Sequence, residues 1–317
     1  MKKRQKQKEL TTADFFAGIG GFRMGFEKAG YRTVYANDFD TNSCKTYREN
    51  FGEIDEKDIQ EIDIHAIPNF DVLLGGFPCQ PFSMAGKRQG LDDPRGKLIY
   101  TVLNILNEKY PKAFVLENVK PLLNFKGGEV FKKIKLDLEN TGDGYNVTAK
   151  VLNSANFGLP QKRERLYIVG IQKSFGEFKM PESLNIELPS VSSVLEKGVP
   201  EKYYLTEKSY RGLLSHKERH KKNGNGFGCK ILSPDEPANT LVSGNMGRER
   251  NLIKDIPTSK NRWGIRKLTE RECARLQGFP DDFIIPVAMT QAYKQFGNAV
   301  SVPVAQEIAK GLKKHLA

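Results

Sequence analysis

The feature that most constrains the fold is an alternation of short apolar runs and helix-like stretches between about residues 10 and 170. The apolar runs predict strands at TADFFAG, RTVYAND, FDVLLGG, KAFVLEN and RLYIVGI. The stretches between them predict helices at GFRMGFEKAG, TNSCKTYRENF, KLIYTVLNILNEK and GEVFKKIKLDLEN. Strands that alternate with helices favour an α/β fold with a doubly wound parallel sheet. Ligands of such sheets bind beyond the carboxyl ends of the strands, so polar residues there are candidates for a site.

The periodicity weakens between about residues 173 and 261, where polar and turn-forming clusters dominate. It returns in RKLTERECARLQGF, where Thr269 and Glu272 have capping-box spacing, and in SVPVAQEIAKGLKKHL, where Pro303 suits a first helical turn. A chain of 317 residues is long enough for two domains. We predict a catalytic and cofactor-binding domain at 1–180, completed by 264–317, and a smaller, irregular domain of short strands and loops at 181–263.

The composition bounds the classes of partner. The net charge is +12 and the sequence pI about 9.3. Such a charge can keep the protein soluble, or it can bind a polyanionic partner, because clustered Lys and Arg gain affinity by releasing counterions from phosphates. Charge alone does not decide between these two uses. No apolar run approaches the ~20 residues of a membrane span, and the basic N-terminus is not followed by a signal-type segment. We therefore expect a cytoplasmic protein with no membrane partner.

The four cysteines stand at positions 44, 79, 229 and 273, with no C-x-x-C pair among them. This spacing disfavours a disulfide framework and a zinc ribbon. His216 and His220 have the one metal-like spacing, but a lone H-x3-H in a charged segment is more often a solvated helix face. We expect no metal site.

A glycine-rich turn follows the first predicted strand in DFFAGIGGFRMG, where Gly18, Gly20 and Gly21 let a ligand approach the backbone. Arg23 occupies the last position of the dinucleotide fingerprint, so the turn does not match that motif strictly, and a simple tight turn is the alternative. Asp38 closes the second strand 20 residues after Gly18, where a carboxylate can bind ribose hydroxyls. The pattern indicates a cofactor that contains a nucleoside.

A lone thiol lies on the stiffened loop GGFPCQPFSMAG, just after the predicted strand FDVLL. This residue is Cys79, and FVLEN places Glu117 at another strand end. A thiol attacks as the thiolate, with an ordinary pKa of ~8.5. A carboxylate and a thiol at two strand ends can converge on one cleft. Arg163 and Arg165 alternate into the next strand, where a spacing of two predicts a shared face. The alternatives are an inert buried cysteine and a solvated basic edge.

Five ordered motifs together resemble the DNA (cytosine-5-)-methyltransferases of bacterial restriction–modification systems. They are Phe16-x-Gly18-x-Gly20-Gly21, Pro78-Cys79-Gln80, Glu117-Asn118-Val119, Gln161-Lys162-Arg163-Glu164-Arg165 and Gly297-Asn298-Ala299-Val300. The resemblance spans residues 12–172 and 264–310. It implies a Rossmann-like S-adenosylmethionine-dependent methyltransferase domain, with a target-recognition domain in the variable segment 181–263.

The resemblance implies a mechanism for the lone thiol. Cys79 would add to C6 of a flipped-out cytosine, which makes C5 nucleophilic toward the methyl group of S-adenosylmethionine and leaves S-adenosylhomocysteine. Flipping is the step by which methyltransferases reach a stacked base. The implied catalytic roles are binding or protonation of N3 by Glu117, contacts with O2 and a nearby phosphate by Arg163 and Arg165, and placement of the Cys79 loop by Asn118.

The resemblance also implies binding residues and partners. The implied cofactor residues are Phe16, Gly18, Ile19, Gly21, Asp38, Phe39, Asp58, Ile59, Pro78, Leu98, Asn298 and Val300, with Asp38 standing where many members have Glu. The implied DNA-binding residues are Gln80, Ser83, Lys87, Arg88, Thr240, Leu241, Arg248 and Arg250, and the loop Gln80–Lys97 would close over the flipped base. We expect a monomer that acts on double-stranded DNA. The resemblance is compatible with a cognate restriction endonuclease that acts on the same site without a stable complex, and the sequence does not decide whether one exists.

Three other functions fit the residues less well. A zinc cytosine deaminase requires P-C-x-x-C, and the chain has PCQP with no second cysteine. Arg23 disfavours an NAD-dependent oxidoreductase. A non-catalytic DNA-binding protein with the same fold would not need Cys79, Glu117 and Arg165. The target sequence and the cytosine methylated within it are not predicted.

Overall fold

The computed structural model describes residues 9–77, 98–224, 228–244, 249–258 and 261–316. The described chain divides into two compact units. The first comprises Met1–Asn153, Glu164–Ser183 and Val300–Ala317, and the second comprises Ser154–Arg163 and Leu184–Ala299. Among the described residues, no helix combines the length and the apolar character that crossing a membrane requires.

The first unit is built on a seven-stranded sheet. Its strands are β1 (Thr11–Phe15), β2 (Arg32–Asp38), β3 (Asp55–Glu56), β4 (Val72–Gly75), β5 (Ala113–Val119), β6 (Tyr145–Asn153) and β8 (Glu164–Gln172), in the spatial order β3-β2-β1-β4-β5-β8-β6. Its helices are α1 (Gly21–Lys28), α2 (Thr41–Phe51), α3 (Leu98–Lys109), α4 (Glu129–Glu139) and α8 (Val302–Leu316). The α/β fold and every strand and helix predicted from the alternating pattern are confirmed.

The sheet is parallel from β3 to β5, but β8 runs antiparallel to both β5 and β6. The prediction that RLYIVGI continues a parallel sheet is therefore wrong. The reason is β6, which the sequence pattern did not reveal. A parallel neighbour needs a crossover connection, whereas only ten residues join the end of β6 to β8, so β8 returns beside β6. As a result the first residues of β8 lie beside the last residues of β5.

The sheet is buried on both faces by helices, as a doubly wound arrangement requires. The main core joins β1, β4, β5 and β8 to α3 and α4 through fully buried residues such as Phe15, Leu73, Ile105 and Phe114. Helices α1 and α8 pack closely against each other. A Cβ added at Gly25 of α1 would lie only 2.6 Å from the Cβ of Ala305 of α8, so the contact requires glycine. Pro303 stands in the first turn of α8, as predicted.

The second unit has only short strands. These are β7 (Gln161–Lys162) paired with β9 (Ala238–Asn239), and β10 (Ile253–Lys254) paired with β11 (Ile265–Arg266); the helices are α5 (Glu207–Lys222), α6 (Glu270–Gln277) and α7 (Met289–Asn298). The predicted capping box of Thr269 and Glu272 is present at the start of α6. Glu272 also forms a fully buried, bidentate ion pair with Arg266.

Residues 154–163 and 264–299 lie in the second unit, although the sequence placed both segments in the catalytic domain. The division reflects which segments pack together and not which segments bind DNA. The assignment of target recognition to 181–263 stays a prediction.

Candidate active site

The carboxyl end of β5 places Glu117 against Arg165 of β8. The antiparallel register pairs Glu117 with Tyr167 and Val119 with Arg165, so the two charged side chains meet across the strands. Arg165 Nε lies 3.2 Å from Glu117 Oε1, and both side chains are largely buried, at 15% and 11% exposure. A guanidinium held this close fixes the orientation of the carboxyl group.

Asn118, the next residue of β5, is 1% exposed and binds main chain on two sides. Its Nδ2 donates to the carbonyl oxygen of Phe77 over 3.2 Å, and its Oδ1 accepts from the amide of Val119 over 2.8 Å. Phe77 is the last described residue before the predicted nucleophile loop. The amide of Asn118 therefore holds the point from which that loop departs, and its role in placing Cys79 stays a prediction.

Seven predicted site residues lie outside the described residues, so the structure neither brings them together nor separates them. They are Pro78, Cys79, Gln80, Ser83, Lys87, Arg88 and Arg248. The predicted closing loop, Gln80–Lys97, lies there as well.

Arg163 has a different environment from Arg165. It is 2% exposed and lies in the second compact unit. One terminal nitrogen donates to the carbonyls of Leu241 and Gly297 over 3.0 and 3.1 Å, and the other donates to the carbonyl of Ala299 over 2.9 Å. Three of its five N–H bonds are thus directed at main-chain oxygens. Arg163 thus joins its own segment to the main chain at Leu241 and at Gly297 and Ala299. Its contact with the base stays a prediction.

The predicted Thr240–Leu241 signature is bound to the residues just before Arg163. The hydroxyl of Thr240 donates to the carbonyl of Lys162 over 2.7 Å, and the amide of Leu241 donates to Gln161 Oε1 over 2.8 Å. Gln161 is fully buried and donates in turn to the carbonyl of Leu276. These hydrogen bonds of the signature are internal to the protein. Arg250 is exposed, and DNA binding by all three residues stays a prediction.

The predicted cofactor loop has the backbone of a ligand cradle. Phe16, Gly18 and Gly20 have φ values of +54°, +56° and +81°. A Cβ added at Gly20 would lie 2.3 Å from the Phe51 ring, and one at Gly21 would lie 2.5 Å from the carbonyl oxygen of Val300. At Gly18 the nearest atom would be 4.0 Å away. The close approach at Gly20 and Gly21 is to the protein itself, whereas Gly18 faces space that a ligand can fill. Cofactor binding by Gly18 and Gly21 stays a prediction.

Asp38 links this loop to the end of β2. Its Oδ2 accepts from the amide of Gly18 and its Oδ1 from the amide of Asp40, both over 2.8 Å. A carboxylate has about four acceptor positions, and with the backbone amide of Phe39 also a donor to it, capacity for a ribose hydroxyl is left. Burial raises the pKa of Asp38, and the hydrogen bonds from Asp40 and Gly18 oppose that rise.

The next residues extend the fit to a nucleoside. The Phe39 side chain is 64% exposed, an unusual exposure for an aromatic ring and one that leaves a face for a purine. Asn37, which the sequence did not single out, donates from Nδ2 to the carbonyls of Asp55 and Lys57. It thereby anchors the segment before Asp58, whose side chain is exposed while that of Ile59 is buried.

The remaining predicted cofactor residues lie at helix ends. Ile19 is 2% exposed and precedes α1, and Leu98 is the first residue of α3. Val300 belongs to the first unit and meets Gly21, whereas Asn298 is the exposed last residue of α7 in the second unit. The donors and apolar surfaces of the first unit fit a nucleoside-bearing methyl donor.

Asp14 is a buried acidic residue beside this loop that the motifs did not reveal. It lies in β1, is 1% exposed, and burial raises its pKa to about 7, partly opposed by Arg23. Only its position between apolar strand residues, in TTADFF, could have indicated burial.

Comparison with protein families gives one match that covers almost the whole chain. The family model of C-5 cytosine-specific DNA methylases matches residues 10–314. The Type II methyltransferase M.HpaII of Haemophilus parainfluenzae is 45% identical over 98% of this chain and 91% of its own length. M1.ScrFI of Lactococcus lactis subsp. cremoris is 43% identical over 96% of this chain and 78% of its own length.

Solved structures give the same fold at low sequence identity. The Entamoeba histolytica methyltransferase EhMeth aligns with a TM-score of 0.78 and 23% identity, covering 98% of this chain and all of that chain. The S. pombe Dnmt2 methyltransferase aligns with a TM-score of 0.73 and 21% identity over the same shares. These matches confirm the Rossmann-like methyltransferase fold, and the sequence relatives confirm the resemblance carried by the motifs.

Proposed function

The chain belongs to the C-5 cytosine-specific DNA methylase family, and on that premise we propose that it methylates C5 of a flipped-out cytosine in a short, specific sequence of double-stranded DNA. The observation that carries the proposal is the pair formed by Glu117 and Arg165 at 3.2 Å, next to an asparagine that holds the main chain at Phe77. A buried carboxylate with a fixed guanidinium partner suits the polar edge of a pyrimidine.

The proposed methyl donor is S-adenosylmethionine, which supplies an electrophilic methyl group on a sulfonium. Its product is S-adenosylhomocysteine. Asp38 would bind the ribose, Phe39 would cover the adenine, and the open face of Gly18 would admit the methionine portion. What supports this assignment is the combination of positive φ values, free space at Gly18 and an exposed aromatic ring beside a carboxylate.

The proposed nucleophile is Cys79. Its thiolate would bond to C6 of the cytosine, and the displaced π electrons would make C5 nucleophilic. Glu117 would hold or protonate N3, so that the ring carries less developing charge. Arg165 would keep Glu117 in position and contact O2. After C5 receives the methyl group it would lose its proton, and elimination would break the S–C6 bond and free the thiolate.

We further propose that the enzyme acts as a monomer in the cytoplasm, as the modification arm of a restriction–modification system. A cognate endonuclease would cut the same sequence when it is unmethylated, without forming a stable complex. Both sequence relatives named above are Type II methyltransferases, which supports this context. The recognition domain would be 181–263.

The test is transfer of tritiated methyl groups to a DNA of mixed sequence, followed by bisulfite sequencing to locate the methylated cytosine. We expect incorporation at one short sequence, and a duplex with 5-fluorocytosine at that position should become covalently trapped on the protein. A wild-type enzyme that binds DNA but transfers no methyl group to any sequence would instead favour a non-catalytic DNA-binding protein.

A further inference from the structure

The helix α5 of the second unit concentrates positive charge. Its 16 residues contain six Lys and Arg residues and two glutamates, Glu207 and Glu218. The helix therefore carries four net positive charges (6 − 2), a third of the net charge of +12, in about a twentieth of the chain. No residue of α5 is fully buried. The half-buried Tyr210 and Leu213 pack on a core of Leu205, Cys229, Leu252 and Ile265, so the apolar side of the helix is already covered.

The opposite side of α5 carries a stripe of exposed residues: Lys208, Gly212, Ser215, Arg219 and Lys222. We call this set the α5 stripe. At 100° per residue its members fall within an arc of about 80°, and the two glutamates lie about 80–100° away from its midline. Glu207 is moreover paired with Arg211 and Arg262. Neither glutamate belongs to the α5 stripe, so its charged residues are all positive.

Helix electrostatics alone do not account for this arrangement. Basic residues are favoured in the last turn of a helix, which accounts for Arg219 and Lys222, but they are disfavoured in the first turn, where Lys208 lies. Solubility alone does not require alignment on one face. Three of the six basic residues of α5, including the unfavourably placed Lys208, share one face of the helix. Contact with a linear anion explains both the position of Lys208 and its alignment with Arg219 and Lys222.

The dimensions of the α5 stripe fit a DNA backbone. Lys208 and Lys222 are separated by 14 residues, or about 21 Å along the axis, which equals the rise of about six base pairs. Gly212 and Ser215 lie between the cations, and a Cβ added at Gly212 would meet nothing within 4 Å. Small residues at this point let a phosphate approach, and the serine hydroxyl can donate to it.

We propose that the α5 stripe is a phosphate-contact surface for duplex DNA, through Lys208, Arg219 and Lys222. This inference rests on the proposed function and adds to it a surface that contributes affinity without reading bases. An anionic membrane surface is less suitable, because a membrane-bound helix needs an apolar face to insert, and that of α5 is packed against the protein.

The test compares the salt dependence of DNA binding in two triple variants. In the first, Lys208, Arg219 and Lys222 are changed to Gln; in the matched control, Lys132, Lys133 and Lys314 are changed to Gln. The control lysines are exposed and lie on α4 and α8. Both variants remove three charges from helix surfaces with little change in helix propensity. Thermal unfolding followed by circular dichroism checks the fold, and three single variants of the stripe replace the triple variant if it unfolds.

The wild-type enzyme is first assayed for methyl transfer, so that failure of the proposed function is recognised separately. The slope of log K against log salt is then measured with a duplex that contains the target. Each phosphate contact contributes about 0.9 to that slope, so the stripe variant should lose about two to three units and each single variant about one. A loss no larger than that of the control variant would overturn the proposal. So would an unchanged DNA slope with lost binding to phosphatidylglycerol vesicles, which would assign the stripe to a membrane surface.

Discussion

Arg165 meets Glu117 only because β8 runs antiparallel to β5. The register that pairs Val119 with Arg165 brings the guanidinium Nε to 3.2 Å from the carboxylate, although Glu117 and Arg165 are 48 residues apart in the sequence (165 − 117). A parallel β8 would have placed Arg165 at the opposite edge of the sheet. Of the two arginines in QKRER, it is Arg165 that forms an ion pair with Glu117 at the carboxyl end of β5.

Glu117→Gln should slow methyl transfer by about 10²–10⁴-fold, the usual contribution of acid–base catalysis. The amide preserves the shape of the side chain but cannot carry the charge that Arg165 stabilises. The single-turnover rate with saturating DNA measures this effect, and DNA affinity is the control. A rate equal to that of the wild type would remove Glu117 from the mechanism.

Cys79→Ala should abolish methyl transfer and covalent trapping by 5-fluorocytosine, since no other group would bond to C6. DNA binding, measured by gel shift, should persist. The matched variant Cys273→Ala changes a fully buried thiol on α6 that lies outside the proposed site. Trapping that survives in Cys79→Ala would disprove the nucleophile assignment.

Arg163→Lys should lower the free energy of unfolding by about 2–3 kcal/mol. A lysine cannot reproduce the planar fork that serves the carbonyls of Leu241, Gly297 and Ala299, and buried acceptors left without donors cost about 1–3 kcal/mol each. Urea unfolding measures the loss. Arg165→Lys is the control, because a single ion pair with Glu117 should affect the rate more than the stability. Equal stability of the two variants would contradict the fastening role.

Gly18→Ala should weaken binding of S-adenosylmethionine at least tenfold while costing about 1–2 kcal/mol of stability. The stability cost arises because φ is +56°, a conformation that L-residues adopt with strain. Gly198→Ala is the matched control: its φ is +64° and an added Cβ would meet nothing within 4 Å. Calorimetric titration compares the affinities. Equal affinity in Gly18→Ala and the wild type would place the cofactor elsewhere.

Asp14→Asn should stabilise the protein at pH 8 and much less at pH 4.5. The folded-state pKa of about 7 exceeds the ordinary value of 3.8, so the folded protein binds the extra proton and stability is lost as the pH rises from about 4 to 7. Asparagine removes that loss, and its advantage should be about 3 kcal/mol larger at pH 8 than at pH 4.5. Urea unfolding at pH 4.5 and pH 8 measures the stability difference between the variant and the wild type. The control is Asp143→Asn, which changes an exposed aspartate. A pH-independent difference would refute burial of the ionised form.

The amino-acid sequence by itself determined the element pattern and the chemical inventory. Alternation of apolar and helical periods is a local property, so the βα units of the first unit, the capping box at Thr269 and the first turn of α8 followed directly from it. The order and spacing of the motifs identified the family. These features depend on neighbours within a few residues, or on residue identity alone.

Only the tertiary structure decided which residues meet. Strand direction depends on long-range pairing, so the antiparallel β8, and with it the contact of Arg165 with Glu117, was not accessible from local pattern. Arg163 and Arg165 look equivalent in QKRER, yet one is enclosed by three carbonyls more than 75 residues away and the other faces a carboxylate. Burial of Asp14 and the internal use of Gly20 and Gly21 are likewise properties of packing, because desolvation and close approach arise only when distant segments come together.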